Sequence, residues 1–436
     1  MKLELAIFPV NKLIWGDRTQ YQEGVLSLNK GELLSLLRED SRIESAELEI
    51  VNPGDRARIV GIRDAVEPRI KASGPGCVFP GILGPIELAG QGVTNRLTQT
   101  AVIVAANFKT SAKAGTAAPS SSILDMWGAG AAVTPLGSTR NLVLALNLVE
   151  GISETDAQTS IQMAELRVAD RLARTTLGQM PAQVEVFELR PTPPSLPRVV
   201  YILGMMTGNL PDISIYGMPV SETLPTLLHP NELFDGAITV DPRKGRHNHP
   251  RVWEWQNHPV VKELYRQHGK ALHFLGVIFH RISANTHMGK EMGALSVAKM
   301  AKLLGAQGAV ITRVNVSGNR FIDIMLAVQA CEKVGIKTVL LTPEYGGKTG
   351  DELPFLFTVP EACSIVSTGS FERKLELDAP DLVIGPRQNG EVLMDPNPVQ
   401  GRTAQPANVP VAVDGWDHIA GGVDWWGRGR LQAQDF

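Results

Sequence analysis

Apolar and amphipathic segments alternate between residues 273 and 347. The apolar runs in HFLGVIFH, AQGAVITRVNVSGN and IKTVLLTPEYGGKTG are short and β-branched, as strands buried on both faces are. Between them, apolar residues recur every three to four positions in residues 292–304 and 322–329, which predicts two amphipathic helices. Gly305 and Gly335 follow these helical runs, where a left-handed capping residue is common. The pattern predicts a βαβαβ unit and therefore a doubly wound parallel sheet.

Polar loops follow the three predicted strands. Ligands of doubly wound sheets bind beyond the carboxyl ends of the strands, which here lead into residues 280–287, 314–320 and 343–349. Free N–H groups at the start of a helix favour an anion such as a carboxylate. We therefore predict a shared pocket in which Glu344 is catalytic and the substrate-binding residues are His287, Lys290, Asn319, Arg320 and Tyr345. For each loop taken alone, the alternative is a helix cap or a turn.

The remainder of the chain predicts an α/β protein with a β-rich beginning. Residues 1–150 alternate strand-like runs with glycine- and proline-rich turns, and residues 152–177 predict one long helix that Ser153 opens. We place an N-terminal β-rich α/β domain at residues 1–225 and a doubly wound C-terminal domain at residues 230–436. Three tryptophans occur after Gly415, and we expect this C-terminal tail to dock on another surface.

Composition narrows the class of protein. The net charge of −3 argues against nucleic-acid binding, which needs a basic excess, and no run approaches ~18 apolar residues as a membrane span requires. The N-terminal apolar piece carries Glu4 and is interpreted as a strand rather than a signal peptide. The three cysteines form no CxxC pair, and Cys331 and Cys363 are expected to be reduced and buried. These features predict a cytoplasmic protein.

A basic, histidine-rich segment precedes the predicted unit. It reads DPRKGRHNHPRVW from Asp241 to Trp253 and contains His247 and His249, whose side chains would project the same way on an extended chain. With His258 they could complete a metal site, or they could contact a substrate or a partner. The alternative is a solvated, flexible basic loop. No HExxH motif supports the metal hypothesis.

Several segments in order resemble one known family. The segments are MKLELAIFPV, VEPRIK, FPGILGPIELAGQG, NLVLALNLVEG, DGAITV, QNHPVVKELYRQHGKALHFLGVIF and VGIKTVLLTPEYGGKTG. Together they resemble the large proprotein subunit of component B of the glycine, sarcosine and betaine reductases. The resemblance implies self-cleavage at an internal cysteine, a pyruvoyl group at the new N-terminus, and a separate subunit whose selenocysteine or cysteine attacks the activated C–N bond.

The segment where this family carries its processing cysteine is different here. That cysteine should follow DGAITV, but residues 241–253 contain neither cysteine nor serine. We therefore expect an unprocessed subunit without a pyruvoyl group. Such a subunit would bind a small, anionic substrate for reductive carbon–heteroatom (C–N type) bond cleavage, in a hetero-oligomer with a subunit that carries a reactive Cys or Sec.

The reductase subunit described above is the first of three readings that the sequence leaves open. In the first reading, His247 and His249 are catalytic proton donors that act near pH 7. In the second, the chain is a metal-dependent enzyme, and His247, His249 and His258 hold the ion as a Lewis acid. In the third, it is a non-catalytic assembly subunit that has kept the fold.

Overall fold

The protein is a mixed α/β chain with several sheets. The computed structural model describes residues 1–107, 122–206, 213–241, 249–282, 286–314, 318–344, 355–370, 372–386, 391–394, 403–429 and 432–433. The α-helices in these ranges are α1 Lys30–Arg38, α2 Gly128–Ala132, α3 Glu154–Ala173, α4 Pro230–Phe234, α5 Val252–Gln256, α6 Pro259–Gln267, α7 His287–Leu303 and α8 Phe321–Lys333.

The first half of the chain is rich in β-structure, as its sequence predicts. Its strands are β1 Lys2–Pro9, β2 Lys12–Trp15, β3 Gln20–Gln22, β4 Val25–Leu28, β5 Ile43–Val51, β6 Ala57–Val60, β7 Ile62–Val66, β8 Arg69–Ser73, β9 Gly92–Thr98, β10 Thr100–Asn107, β11 Ile123–Asp125, β12 Arg140–Leu148 and β13 Gln183–Glu188. They build two four-stranded sheets, β13-β1-β9-β8 and β5-β12-β10-β7, with smaller sheets beside them. Helix α3 buries Ile161, Leu166 and Leu172 in the same core as Leu5 and Val104 of these sheets.

The second half contributes a seven-stranded sheet. Its strands are β14 Arg198–Met206, β15 Ile213–Ile215, β16 Met218–Pro219, β17 Thr226–Leu228, β18 Ile238–Val240, β19 His273–Ile282, β20 Gly308–Val314, β21 Lys337–Glu344, β22 Ile365–Ser370, β23 Leu375–Leu377, β24 Leu382–Ile384, β25 Glu391–Met394, β26 Thr403–Pro406, β27 Val411–Val413 and β28 Gln432–Ala433. The order in this sheet is β17-β19-β14-β20-β21-β22-β28.

Five neighbouring strands of this sheet are parallel. β19, β14, β20, β21 and β22 pair in parallel register, and only the edge strands β17 and β28 are antiparallel. Numbered along the chain, the parallel strands stand in the order 2-1-3-4-5, one of the two common orders of doubly wound sheets. The parallel strands at residues 273–347 are as predicted.

Side chains alternate between two cores along these strands. Val200 and Ile202 of β14 pack with α7 and α8 on one face. Tyr201 and Leu203 pack on the other face with α6 and the first half of the chain. Both faces are therefore buried, which explains why the runs read as continuous apolar segments rather than alternating ones.

The predicted domain division at residues 225–230 puts strand β14 in the N-terminal domain. It lies in the middle of the seven-stranded sheet, hydrogen-bonded to β19 on one side and to β20 on the other. The sheet therefore takes strands from both sides of the division at residues 225–230. A short apolar run carries no information about its partners, so the pattern could identify the strand but not its neighbours.

Helices α7 and α8 and the capping glycines Gly305 and Gly335 are confirmed, with both glycines at positive φ. Met292 and Leu295 fit the apolar spacing of α7 but are more than half exposed, because Ala294, Val297, Ala298 and Ala301 form the buried stripe. Small side chains there let α7 approach the sheet closely.

The C-terminal tail docks, as predicted. Trp425 and Trp426 are 4% and 2% exposed, and Trp426 stacks on His258 with ring centroids 4.0 Å apart. Of the cysteines, Cys331 is buried as expected, but the expectation for Cys363 was wrong because its side chain is exposed.

Candidate functional site

The predicted residue Lys290 lies in a buried ion pair. Its ammonium contacts the Asp323 carboxylate of α8 and donates to the backbone oxygen of Asn319 at 3.2 Å. The side chains of Lys290 and Asp323 are 4% and 2% exposed. The structure therefore brings the start of α7, which follows β19, against Asn319, which follows β20, and the Lys290 charge already has an acidic partner there.

The other predicted loop residues are more dispersed. His287 and Glu291 form an exposed pair on α7, with 3.5 Å between Nε2 and Oε1. Asn319 is exposed, Arg320 is half-buried, and Glu344 is buried at the end of β21 opposite Ser370 of β22. Tyr345 and His247 lie outside the described residues. The substrate-binding roles of these residues stay predictions.

Arg313, which the sequence analysis missed, connects the ends of β20 and β21. Its guanidinium is buried and donates from Nε to Thr342 Oγ1 at 2.6 Å and from Nη2 to the Pro343 oxygen at 2.7 Å. It also lies over the rings of Phe321, at 4.9 Å, and Trp425, at 5.8 Å. A cation at the carboxyl edge thus fixes the tail against the sheet.

His258 is a packed core residue. Its Nε2 lies 3.1 Å from the Tyr201 hydroxyl, which contacts Thr312 Oγ1 at 2.5 Å, and its ring stacks on Trp426. Burial lowers the pKa of His258 well below its ordinary value, so the ring is neutral. Within the described ranges, no three His, Cys, Asp or Glu side chains are grouped as metal ligands would be.

His249 belongs to a buried ionic cluster. We use this name for Arg63, Asp64, Glu165, Asp241, His249 and Arg251, all of which are at most 3% exposed. Arg251 donates to the Arg63 oxygen at 2.9 Å and to Ser122 Oγ at 2.7 Å, and its Nη1 lies 3.2 Å from His249 Nε2. This guanidinium therefore joins the histidine to strand β7 and to residue 122.

Two carboxyl groups of the buried ionic cluster hold protons more tightly than usual. Burial raises the pKa of Asp64 to about 7, against the lowering effect of N–H groups and of Arg251. Burial and the Asp64 charge raise the pKa of Glu165 well above its ordinary value. Strongly shifted pKa values are characteristic of functional sites, although structural ion networks also produce them.

Both ends of residues 242–248 are attached near this cluster. Before the segment, Gln162 of α3 donates to the Val240 oxygen at 3.2 Å, one helical turn from Glu165. Burial and the Arg251 charge lower the pKa of Arg63 to about 9, and the Asp241 charge opposes this lowering. After the segment come His249 and Arg251. The segment in which the resembling family carries its processing cysteine therefore begins and ends on the buried ionic cluster.

These cluster residues carry a signal that the sequence could have provided. Arg63 and Asp64 lie inside IRDAV, a strand in which every residue is buried. Glu165 lies on the apolar face of α3, four residues after Ile161 and three before Val168. Charged residues at buried positions of an apolar pattern are rarely there without a partner or a function.

A cavity of about 620 Å³ lies at the carboxyl end of β22. Its walls come from three parts of the chain: Ala132–Pro135, Thr368–Ser370 with Arg373, and the docked tail with Trp416, Asp424 and Arg428. Arg428 pairs with Glu254 at 3.0 Å, and Glu254 also accepts from the backbone N–H of Arg251. Glu254 thus connects the cavity to the buried ionic cluster.

A second cavity, of about 690 Å³, lies at the opposite edge of the sheet. It is lined by β13 and α6 and includes Lys262, whose pKa burial lowers to about 8. Its lining residue Thr192 contacts His273 at the amino end of β19, with 2.8 Å between Oγ1 and Nδ1. Since parallel sheets bind ligands at their carboxyl ends, we take the cavity at β22 as the better candidate site.

A mixed α/β chain with a parallel sheet, a cavity at its carboxyl edge and a buried ionic cluster has the general form of a ligand-binding enzyme subunit. The chain belongs to the family of glycine/sarcosine/betaine reductase component B subunits, whose model matches residues 1–395. No solved structure is significantly similar.

Curated relatives cover most of the chain. The glycine reductase complex component B subunits alpha and beta of Acetoanaerobium sticklandii are 34% identical over 393 residues, which is 88% of this chain and 89% of the relative. The betaine reductase complex component B subunit alpha of Peptoclostridium acidaminophilum is 34% identical over 398 residues, 88% of each. The sarcosine reductase subunit of the same organism is 30% identical, over 88% of this chain and 89% of the relative. In the described part of this chain, no helix is both long and apolar enough to cross a bilayer.

Proposed function

We propose that this chain is a substrate-binding subunit of a reductase complex and works without a pyruvoyl group. Its substrate is a small anion that undergoes reductive cleavage of a carbon–heteroatom bond of the C–N type. A second subunit supplies the thiol or selenol that attacks carbon. The printed names of the relatives, which are components of glycine, betaine and sarcosine reductase complexes, support this reaction class and a hetero-oligomer.

The observation that carries the proposal concerns residues 241–253. This segment contains no cysteine, serine or threonine, so no side chain in it can undergo the chain cleavage that leaves a pyruvoyl group. Its two ends are nevertheless attached to the buried ionic cluster, and it lies between β18 and β19 in the chain. The position of the segment is retained without the residue that forms the electrophile.

Without that carbonyl, this chain must act through binding and proton transfer. We propose His249 and Glu344 as residues that handle protons near the reacting bond, with His247 as a further proton donor. His249 lies against Arg251, and Glu344 ends β21 at the carboxyl edge. His249 Nε2 lies against the Arg251 guanidinium, so this nitrogen is not open to a metal ion. The contact favours a role in proton transfer over metal ligation.

Mass spectrometry under denaturing conditions tests the proposal. We expect one intact chain of 47.1 kDa. Two fragments divided near residue 241 would overturn pyruvoyl independence. Metal analysis of the wild type and of His249→Ala tests the alternative, and stoichiometric metal that the variant loses would favour a metal enzyme.

Co-purification tests the partner. The full chain isolated from its native cells should bring down a subunit whose thiol or selenol reacts with iodoacetamide. A lone chain that carries out the reductive cleavage would contradict the proposed division of labour.

A further inference from the structure

The cavity at β22 has hydrogen-bond donors without acceptors. The Thr368 hydroxyl, the Trp416 indole N–H, and Nε and Nη1 of Arg428 are buried and have no hydrogen-bond partner in the described part of the chain. Arg373 also lines the cavity, and neither a hydrogen bond nor an ion pair connects it to another described residue. Four side chains from two separate segments therefore contribute donors to one cavity.

The lining carboxylate Asp424 and the neighbouring carboxylate Glu254 already have donors. Asp424 accepts from the backbone N–H groups of Trp426 at 3.2 Å, Arg428 at 2.9 Å and Gly429 at 2.6 Å. Glu254 accepts from the Arg251 N–H and pairs with Arg428 Nη2. Among the described residues, no lining carboxylate remains uncommitted for the donors of Thr368 and Trp416.

A surplus of buried donors among the described residues calls for a further acceptor, and a bound ligand can supply it. A buried donor without a partner loses its bonds to water and gains nothing in return, so native proteins rarely leave several together. Guanidinium groups match the two oxygens of a carboxylate in a planar, forked geometry. The donors thus favour an anion with oxygen acceptors.

We propose that this cavity binds the carboxylate of a small organic acid, with Arg373, Trp416, Thr368 and Arg428 as its ligands. The inference deepens the proposed function and rests on it for the claim that this acid is the substrate. It assigns the carboxylate to the edge of β22, whereas the sequence placed it at Lys290, which is paired with Asp323.

The charge of the wall favours a single carboxylate over a phosphate. Arg373 and Arg428 are balanced by Asp424 in the wall and by Glu254, which pairs with Arg428, so the described side chains supply no surplus of positive charge for a dianion. The cavity of about 620 Å³ has room for a group beyond the carboxylate, because a water molecule occupies about 30 Å³ of liquid. The reacting carbon can therefore lie inside it.

Titration calorimetry on the full chain tests this assignment. The probes are acetate, glycine, sarcosine, betaine and inorganic phosphate. We expect at least one carboxylate to bind with a 1:1 stoichiometry and phosphate to bind more weakly than that acid. Arg373→Ala should weaken the binding about tenfold, since one charged contact of this kind contributes roughly that factor.

Trp416→Phe keeps an aromatic side chain but removes the indole N–H together with the five-membered ring that carries it, so it should weaken binding severalfold. Arg266→Ala, which removes an exposed guanidinium at the opposite edge of the sheet, serves as the matched control and should leave binding unchanged. The inference is overturned if no carboxylate binds, if phosphate binds more tightly than every acid, or if Arg373→Ala and Trp416→Phe both bind like the wild type. A cleaved chain in the mass measurement would instead remove the proposed function and leave this binding result standing.

Discussion

The buried ionic cluster and the cavity at β22 lie on either side of Glu254, and they differ in how their polar groups are satisfied. In the cluster, Arg251 donates to two oxygens and lies against His249, and Asp64 accepts two backbone N–H groups. In the described part of the chain, the side-chain atoms of the cavity that lack a hydrogen-bond partner can all donate, whereas those of the cluster include an acceptor, Glu165 Oε1. The contrast indicates that the cluster holds the chain in place and that the cavity is built to receive a ligand.

The largest effect should come from Arg251→Met. The substitution leaves the Arg63 peptide oxygen and the Ser122 hydroxyl without their donor, and it removes the positive charge beside Asp64 and Glu165 in a site closed to water. Breaking a buried charge pair on one side costs about 3–5 kcal/mol of unfolding free energy. Urea denaturation measures this loss, and Arg266→Ala, with 64% of its side chain exposed, is the control that should keep the wild-type midpoint. A wild-type midpoint for Arg251→Met would contradict a structural role for the cluster.

Lys290→Met should reduce the unfolding free energy by about 3 kcal/mol because it leaves Asp323 buried without its cation. The double variant Lys290→Met/Asp323→Leu should recover most of that loss. Carboxylate binding to folded Lys290→Met should change less than twofold if the acid binds at the edge of β22. A loss of binding similar to that of Arg373→Ala would move the substrate site back to the loop after β19.

Asp64→Asn should change how stability depends on pH. The pKa of Asp64 is about 7 in the folded protein, above its ordinary value of 3.8, so the folded state binds this proton more tightly. Its favourable effect is therefore lost as the pH rises from about 4 to about 7. Asparagine keeps the acceptor for Ala65 and Val252 and stays neutral.

Relative to the wild type, Asp64→Asn should gain stability over that interval, on the order of 1–3 kcal/mol by pH 8. Chemical denaturation at a series of pH values measures the difference. A constant difference between pH 4 and pH 8 would show that Asp64 is ionised throughout.

The smallest effect on stability should come from Thr368→Val. Valine has nearly the same shape and removes a buried hydroxyl that has no partner, so the unfolding free energy of the unliganded protein should change by less than about 0.5 kcal/mol. Carboxylate binding should nevertheless weaken severalfold. A large loss of stability without ligand would show that this hydroxyl stabilises the fold, as Arg251 does. The cavity and the buried ionic cluster would then not differ in role.

The sequence predicted individual helices and strands better than it predicted which strands pair with each other. The spacing in residues 292–304 and 322–329 identified α7 and α8, and the glycines after them gave the helix ends. Strand β14 could not be assigned to its neighbours, because strand pairing depends on residues far away in the chain. For the same reason the order of the sheet was not available from the pattern.

The candidate site residues were likewise easier to identify from the sequence than the residues that they contact. Lys290 does contact Asn319, but its ionic partner is Asp323, a residue in a helical pattern that gives no sign of facing a lysine. Arg373, Trp416 and Arg428 are distant from Thr134 in sequence, and the cavity they line exists only after the tail has docked. Charged residues inside IRDAV were the available signal for the buried ionic cluster.

The position of β14 has a consequence for a chain broken within residues 242–248. The central strand would remain on the first piece, while its two neighbours, β19 and β20, would be on the second. Backbone hydrogen bonds along both sides of β14 would then hold the pieces together as a non-covalent pair. The assembled sheet would therefore keep its strand pairing without an intact peptide bond in this segment.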